Sequence, residues 1–340
     1  PTSADAGGPT SAVAGRRAAA DDGVVTVLDP GAANGPAGDA AGGGTASPSA
    51  ASDPGLERFE RRFPAQARAS QNAGEDPASA RWAVLIGINE YAGRTRDNVG
   101  SRQDAEDLHR HLRDLGWYED HIVLLRDEDA TREMIKQSTL WLQRKTTGAS
   151  FVIVHYSGHT KQWPGRDVDG DGEVPDEAIW PHDNRFIVDS EFVWWLHKVR
   201  SRWMWVNIGA CEAAGFADAG LQREGRLLTF SSREVEKSYE DPERDNSVWG
   251  YYLVDQAMIA GHGDANGDGK VSVEEAFRYA AERAPQRTAR ASHGPQHPVV
   301  WDGVRGDLSL EIPPPPPPSQ TESDGDDCTL GVLCPGGRRG

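Results

Sequence analysis

An α/β domain, with a doubly wound, mostly parallel sheet flanked by helices, is what this sequence predicts, on three observations. Three near-continuous apolar runs, 81–88, 151–154 and 203–208, have the length and the lack of alternation of strands covered on both faces. Segments with helical periodicity lie between them. Two of the runs end in small-residue turns, His155-Tyr156-Ser157-Gly158-His159 and Gly209-Ala210-Cys211. In a parallel sheet the carboxyl ends of neighbouring strands are where ligands and chemistry collect.

Taken in order, the first strand is followed by Asn89-Glu90-Tyr91, and residues 101–115 read as a helix with Leu108, Leu112 and Leu115 on one stripe and Gly116 at its end. Residues 121–125 form a short strand. Thr131 is placed to cap the next helix, which Met134, Leu140, Trp141 and Leu142 anchor. The strand at 151–155 comes next, then a helix at 189–199 carrying Trp194, Trp195 and Leu196, then the strand at 203–208. Residues 227–231 make a fifth strand, 247–259 and 273–283 two further helices, and 298–301 a strand that closes the sheet. This strand-helix alternation is the pattern of a mostly parallel sheet.

Composition confines that fold to part of the chain. Residues 1–55 are mostly Ala, Gly, Ser, Pro and Asp, with one apolar patch at 24–28, so the segment is expected to be disordered. Residues 56–79 read as a linker or short helix, and 80–312 as the folded domain, about 230 residues and a fitting size for one unit. The prolines at 313–318 open an extended spacer, and 313–340 reads as a flexible tail. In that tail Cys328 and Cys334 are compatible with a small disulfide or with two free thiols. The chain begins at Pro1, which leaves a removed signal peptide open, and with the tail cysteines leans the expectation toward an extracytoplasmic location.

The net charge is −17, from 53 acidic and 36 basic residues. That opposes a nucleic-acid role, which needs a basic face. No run approaches the roughly 20 apolar residues of a transmembrane helix. Much of the acid is gathered into two Asp/Gly loops, which points to a divalent cation. The chain is expected to act as a monomer, with calcium as its cation.

His159 and Cys211 stand just past two strand ends, separated by enough chain for one crossover and a long loop, so they are expected to face each other. A cysteine nucleophile needs a neutral imidazole to take its proton, and backbone N–H groups to receive the developing oxyanion. The pair therefore suggests a Cys–His peptidase. Structural alternatives exist for each residue: a cysteine after an apolar strand also serves as core.

Val84-Leu85-Ile86-Gly87-Ile88-Asn89, His155-Tyr156-Ser157-Gly158-His159 and Ala210-Cys211-Glu212-Ala213-Ala214-Gly215-Phe216 resemble the motifs of the bacterial caspase-like cysteine peptidases, in the caspase, metacaspase and legumain group. The resemblance covers roughly residues 80–285 in the family's order. It implies a caspase-like fold, His159 as general base rather than His155, which becomes a packing residue, and Cys211 as nucleophile. It also implies the backbone N–H groups of Thr160 and Cys211 as the oxyanion hole. Three departures stand out: Thr160 where the family has Gly, Gly209 where metacaspases carry Asp, and Ala213-Ala214-Gly215 in place of Ser-Gly. Asp104 resembles the metacaspase aspartate that lines the pocket for a basic P1 residue; the alternative is an ordinary helix-start carboxylate. Self-processing in the 217–247 connection, rich in basic residues such as Arg223, Arg226, Arg233 and Lys237, is a further expectation of the resemblance.

The second acidic loop, 264–275, matches the calcium-loop template: Asp264, Asn266 and Asp268 at positions 1, 3 and 5, Gly269 at 6, the Lys270 carbonyl at 7 and Glu275 at 12. The first loop has Asp167, Asp169 and Asp171 in the same places but Ala178 at position 12. By the resemblance, Asp183 and Asp218 join it around an activating calcium. Either loop could also hold its turn without metal.

The expected function is thus a calcium-activated cysteine endopeptidase, with Arg or Lys preferred at P1. A legumain-like Asn/Asp specificity, kept open by Gly209, and a catalytically silent calcium-binding or adaptor domain are the alternatives.

Overall fold

The computed structural model describes residues 53–70, 77–170, 172, 174–217 and 220–311. Most of the segment expected to be disordered, the Pro-rich spacer and the tail with Cys328 and Cys334 lie outside those residues. In chain order the elements are α1 (Pro54–Arg62), α2 (Pro64–Arg68), β1 (Arg81–Gly87), α3 (Ser101–Asp114), β2 (Ile122–Arg126), α4 (Arg132–Lys145) and β3 (Phe151–Ser157). There follow β4 (Thr160–Trp163), β5 (Asp176–Ile179), β6 (Ile187–Val188), α5 (Asp189–His197), β7 (Trp203–Gly209) and β8 (Arg226–Phe230). The last are β9 (Glu240–Asp241), β10 (Asn246–Ser247), α6 (Val248–Gly250), a π-helix (Tyr251–Ile259), α7 (Val273–Arg287) and β11 (Val299–Asp302).

The main sheet has the order β11-β8-β7-β3-β1-β2; every pairing is parallel except β11 on β8. Its inner strands are buried on both faces, which is why β1, β3 and β7 are written as unbroken apolar runs. One face packs under α1, α4 and α5 with Trp82, Trp141 and Trp195; the other under α3, the π-helix and α7 with Trp117, Trp205 and Trp249. Each such tryptophan removes roughly 150–250 Å² from water, which makes these indoles a large part of the core. Thr131 caps α4 through Met134 N–H (3.3 Å), and a Ser272–Glu275 capping box starts α7.

Four features refine or depart from the expectation. The N-terminal helix starts earlier, at Pro54, because Asp53 accepts from Gly55 N–H and caps it. The helix read at 247–259 is one α-turn followed by nine residues of π-helix. Its apolar residues lie nearly all round, so they do not distinguish the tighter coil from the wider one. The strand at 299–302 closes the sheet antiparallel. A second sheet, β4-β5-β6, grows out of the turn after His159 from half-polar residues that carry no strand periodicity.

Candidate active site

The site begins with register. β3 and β7 are parallel neighbours paired from Phe151↔Trp203 to Ser157↔Gly209, and Gly158 N–H reaches Gly209 O at 3.3 Å. His159 and Cys211 therefore leave adjacent strands at the same height. Thr160 Oγ1 donates to the Cys211 carbonyl at 2.7 Å and ties the two turns together.

His159 is gripped at three points. Its N–H donates to Tyr91 Oη at 2.7 Å, its carbonyl accepts from Tyr156 Oη, and its ring stacks on Tyr91 with centroids 4.7 Å apart. Gly158 is required by this grip: a methyl group there would lie 2.7 Å from Tyr156 Oη and 2.9 Å from Tyr91 Oη. The ring's Nε2 lies 2.8 Å from the Arg96 carbonyl. A carbonyl only accepts, so it fixes the proton on Nε2 and leaves Nδ1 as an acceptor. The loop that carries Tyr91 and Arg96 is itself pinned. Asp127 Oδ1 accepts from Asn89 N–H and Glu90 N–H at 2.8 and 3.0 Å, and Asp97 accepts from Tyr91 N–H at 3.0 Å. Neither Arg96 nor Asp127 was singled out from the sequence. Arg96 acts through its backbone, which leaves no trace in residue type.

His155 sits inside β3, fully buried, with Nδ1 2.8 Å from Asn207 Nδ2. Burial holds its pKa down to about 3, so it is neutral and sealed away from solvent. Asn207 in turn accepts from Thr229 Oγ1 and Trp249 Nε1 at 2.8 and 2.9 Å, a polar row across the sheet beneath the two turns.

The thiol of Cys211 is bonded to the backbone of Ser238, accepting from its N–H at 3.4 Å and donating to its carbonyl at 3.7 Å, and not to His159. Burial, and then the charge of Glu212, push the thiol above its ordinary pKa, against the Ser238 N–H and Lys237, so it rests protonated. Glu212 adopts a left-handed backbone (φ 51°), donates its N–H to Glu236 O at 2.8 Å and pairs with Lys237. Ala210 is held by Ser231 Oγ through both N–H and carbonyl, 2.9 and 2.8 Å.

Asp104 lies on α3, fully buried beneath the turns. Its carboxylate accepts from Ser157 Oγ (2.7 Å), Ser247 Oγ (2.6 Å) and Ser247 N–H (3.0 Å). Burial, then the charge of Glu240, push it up to about 7. At Gly209 the missing side chain leaves Trp249 and Ser157 as the nearest walls, 3.3 and 3.4 Å from where a methyl would stand. Of the basic residues in the following connection, Lys237 pairs with Glu212, Arg226 is buried at the start of β8, and Arg233 is exposed.

Asp167, Asp169 and Asp176 converge, with one carboxylate oxygen of each within 4.8 Å of the others. Asp176 is the buried member of the three. It arrives through the β4–β5 pairing, opposite Trp163. Its Oδ2 accepts from Val168 N–H and Asp169 N–H, while its buried Oδ1 has no hydrogen-bond partner among the described residues. Beside it, Glu177 is buried, bonded to Gln162 at 2.6 Å through Oε1, and pushed by burial up to about 8. An all-oxygen set with an unmet buried acceptor fits a hard divalent cation. Asp183 stands instead at the start of α4, accepting from Arg132 N–H at 3.1 Å. Asp171 and Asp218 lie outside the described residues.

At the template positions the 264–275 loop supplies its own donors, while Glu274 beside them keeps a buried Oε1 without a partner among the described residues. Asp264 accepts from Gly267, Asp268 and Gly269 N–H at 2.8 to 3.2 Å, Asn266 from Asp268 N–H and Asp268 from Lys270 N–H. Glu275 turns back to Ser272, and Lys270 pairs with Glu311 at 2.8 Å.

Among known proteins, a family model described as the caspase domain matches residues 80–298. Metacaspase-4 of Arabidopsis thaliana is 26% identical over 192 residues, covering 54% of this chain and 45% of the relative. Metacaspase-7 of the same plant is 30% identical over 165 residues, covering 46% and 41%. The chain thus spans less than half the length of these curated relatives. In three dimensions it is similar to the crystal structure of protein GSU0716 from Geobacter sulfurreducens, with a TM-score of 0.52 and 17% identity, over 68% of this chain and 98% of that one. That likeness concerns the fold.

Proposed function

The chain belongs to the caspase-domain family, and from that premise we propose that it is a cysteine endopeptidase acting through Cys211 and His159 on protein or peptide substrates. The observation that carries this reading is the β3–β7 register, which brings the histidine and cysteine turns out side by side. His159, with its proton held on Nε2 by the Arg96 carbonyl, has Nδ1 free to take the thiol proton. The thiolate attacks the scissile carbonyl, His159 passes the proton to the leaving amine, and water hydrolyses the acyl-enzyme. The backbone N–H groups of Cys211 and Thr160 are the proposed oxyanion donors. For this the thiol must exchange its Ser238 contacts for His159.

Asp104 is the proposed base of the P1 pocket, giving a preference for Arg or Lys. Asp167, Asp169 and Asp176 would hold calcium, with Asp171 and Asp218 as further proposed ligands. A bound calcium ion supplies positive charge that neutralises these carboxylates and orders the loop joining β4 to β5. Asp264, Asn266, Asp268, the Lys270 carbonyl and Glu275 form a second proposed calcium loop.

The test is hydrolysis of a fluorogenic panel with P1 Arg, Lys, Asn or Asp, in calcium and in chelator. Cleavage after Arg or Lys in calcium is expected, falling by about 10³-fold or more in Cys211→Ala. Cleavage after Asn or Asp instead would make the enzyme legumain-like. Silence across the panel would sink the peptidase reading.

A further inference from the structure

At the opposite end of the sheet from Cys211 two arginines stand together without an acid. Arg226, the first residue of β8, is 3% exposed, and its Nε has no hydrogen-bond partner among the described residues. Its Nη1 makes one long contact, 3.3 Å, to the neighbouring Gly225 carbonyl. Arg223, half-buried, donates through Nη1 to His197 Nδ1 and through Nη2 to the His197 carbonyl, both at 3.3 Å. Among the described residues, neither guanidinium has a carboxylate within ion-pair distance. In a chain with a net charge of −17, that is contrary to what composition alone would produce.

The C-terminus of α5 accounts for Arg223, since helix ends favour cations there, but it offers no acceptor to Arg226 Nε. Because Arg223 donates to His197 Nδ1, the imidazole proton sits on Nε2, and His197 is exposed. The mouth of the cluster thus presents further N–H donors to solvent. The loop between α5 and β7, which touches Gly225 through the Arg202 carbonyl, also buries the Ser201 hydroxyl without a partner among the described residues. Burial holds Arg226 down to about 10; burial and then the two arginine charges depress His197. A buried positive charge beside a half-buried one of the same sign is expensive unless an anion joins them.

We propose that Arg223, Arg226 and His197 form a binding site for a small multivalent oxyanion of the phosphate class. The planar guanidinium fork matches tetrahedral oxyanions, and two arginines balance one dianion. The site uses no residue of the proposed peptidase machinery, so it stands or falls independently.

Thermal melts in chelator, with inorganic phosphate against chloride at equal ionic strength, test it. Phosphate at about five times its dissociation constant should raise Tm by about 2–4 °C beyond chloride. Arg226→Gln and Arg223→Gln should each weaken phosphate binding by about tenfold or more, and Arg226→Lys by less. If Arg226→Gln does not fold, Arg223→Gln, whose side chain is half-exposed, decides alone. A phosphoserine peptide that binds tighter than phosphate would identify a phosphoprotein as the source; equal or weaker binding would identify the free anion, and either supports the site. A shift equal in chloride, or unchanged in Arg223→Gln, overturns it.

Discussion

The loops at 167–176 and 264–275 are written in nearly the same letters, yet their carboxylates end in different company. In the first, Asp167 accepts from Gly170 and Gly172 N–H and Asp169 from Ser190 Oγ, but Asp167, Asp169 and Asp176 converge and a buried Asp176 oxygen has no partner among the described residues. In the second, which is the better match to the calcium template, Asp264 is consumed by three of its own backbone N–H groups and Glu275 by a capping box. A template counts oxygen atoms along the chain. What decides readiness for a cation is which of those oxygens still lack a donor once the chain has folded. The first loop also adjoins β4, whose first residue bonds the Cys211 carbonyl, while the second leads only into α7. The two loops should therefore differ in what calcium does through them.

The largest effect is expected on activity. Asp176→Asn keeps an acceptor but removes a charge from the converging set, and should cut calcium-dependent hydrolysis by about 100-fold, a loss of about 2.7 kcal/mol in transition-state terms. Asp264→Asn should leave the rate within about twofold. Titrating both variants with calcium in the peptide assay checks this. Equal losses would mean that the comparison between the loops is wrong.

The next effect concerns protons held away from both loops. Burial, with Glu240 as a lesser cause, holds Asp104 up to about 7; burial and the charge of Asp107 hold Asp255 up to about 7. The ordinary value of each is 3.8. Acids raised in the folded state contribute stability that is fully present below pH 3.8 and lost as the pH rises through about 7. In chelator, Tm should fall by several degrees between pH 5 and pH 8. Asp176→Asn should keep that slope, and Asp104→Asn should reduce it, leaving the shares of Asp255, Glu177 and Glu274, which burial also holds up. A slope that disappears in Asp176→Asn would move its origin from α3 to the first loop.

How much of this was legible in the sequence follows the same division. β1, β3 and β7 were readable because strands buried on both faces must be apolar throughout, and the turns they feed carry His159 and Cys211. Thr131 announced the start of α4 because a capping hydroxyl acts on backbone three residues away. What stayed hidden was brought together by pairing across distance. Asp176 joins Asp167 only because β5 folds back on β4. The Arg96 carbonyl and the Tyr91 ring reach His159 from a loop more than sixty residues earlier in the chain. Asp104 reads in sequence either as a pocket aspartate, by the resemblance, or as a helix-start carboxylate, and only the fold shows it braced by Ser157 and Ser247 from two other elements. Local chemistry is written locally; the donors that use up a carboxylate are not.

The smallest expected effect isolates the second loop's own bookkeeping. Glu275 accepts from Ser272 N–H and Oγ at 3.0 Å, and Ser272 Oγ accepts from Glu275 N–H at 3.2 Å, closing the start of α7. If that carboxylate serves as a helix cap in the calcium-free protein, Glu275→Gln, which preserves the capping geometry, should change stability in chelator by less than about 0.5 kcal/mol. Glu275→Ala, which removes it, should cost about 1 kcal/mol, or about 2–4 °C in Tm. Adding calcium then separates the roles. Should the ion draw Glu275 away as a ligand, Gln would lose the calcium-induced rise in Tm that the wild type shows, while still matching it in chelator. Should the loop remain metal-free, Gln and wild type would melt together in both conditions, and the template match at 264–275 would stand as a turn that needs no ion.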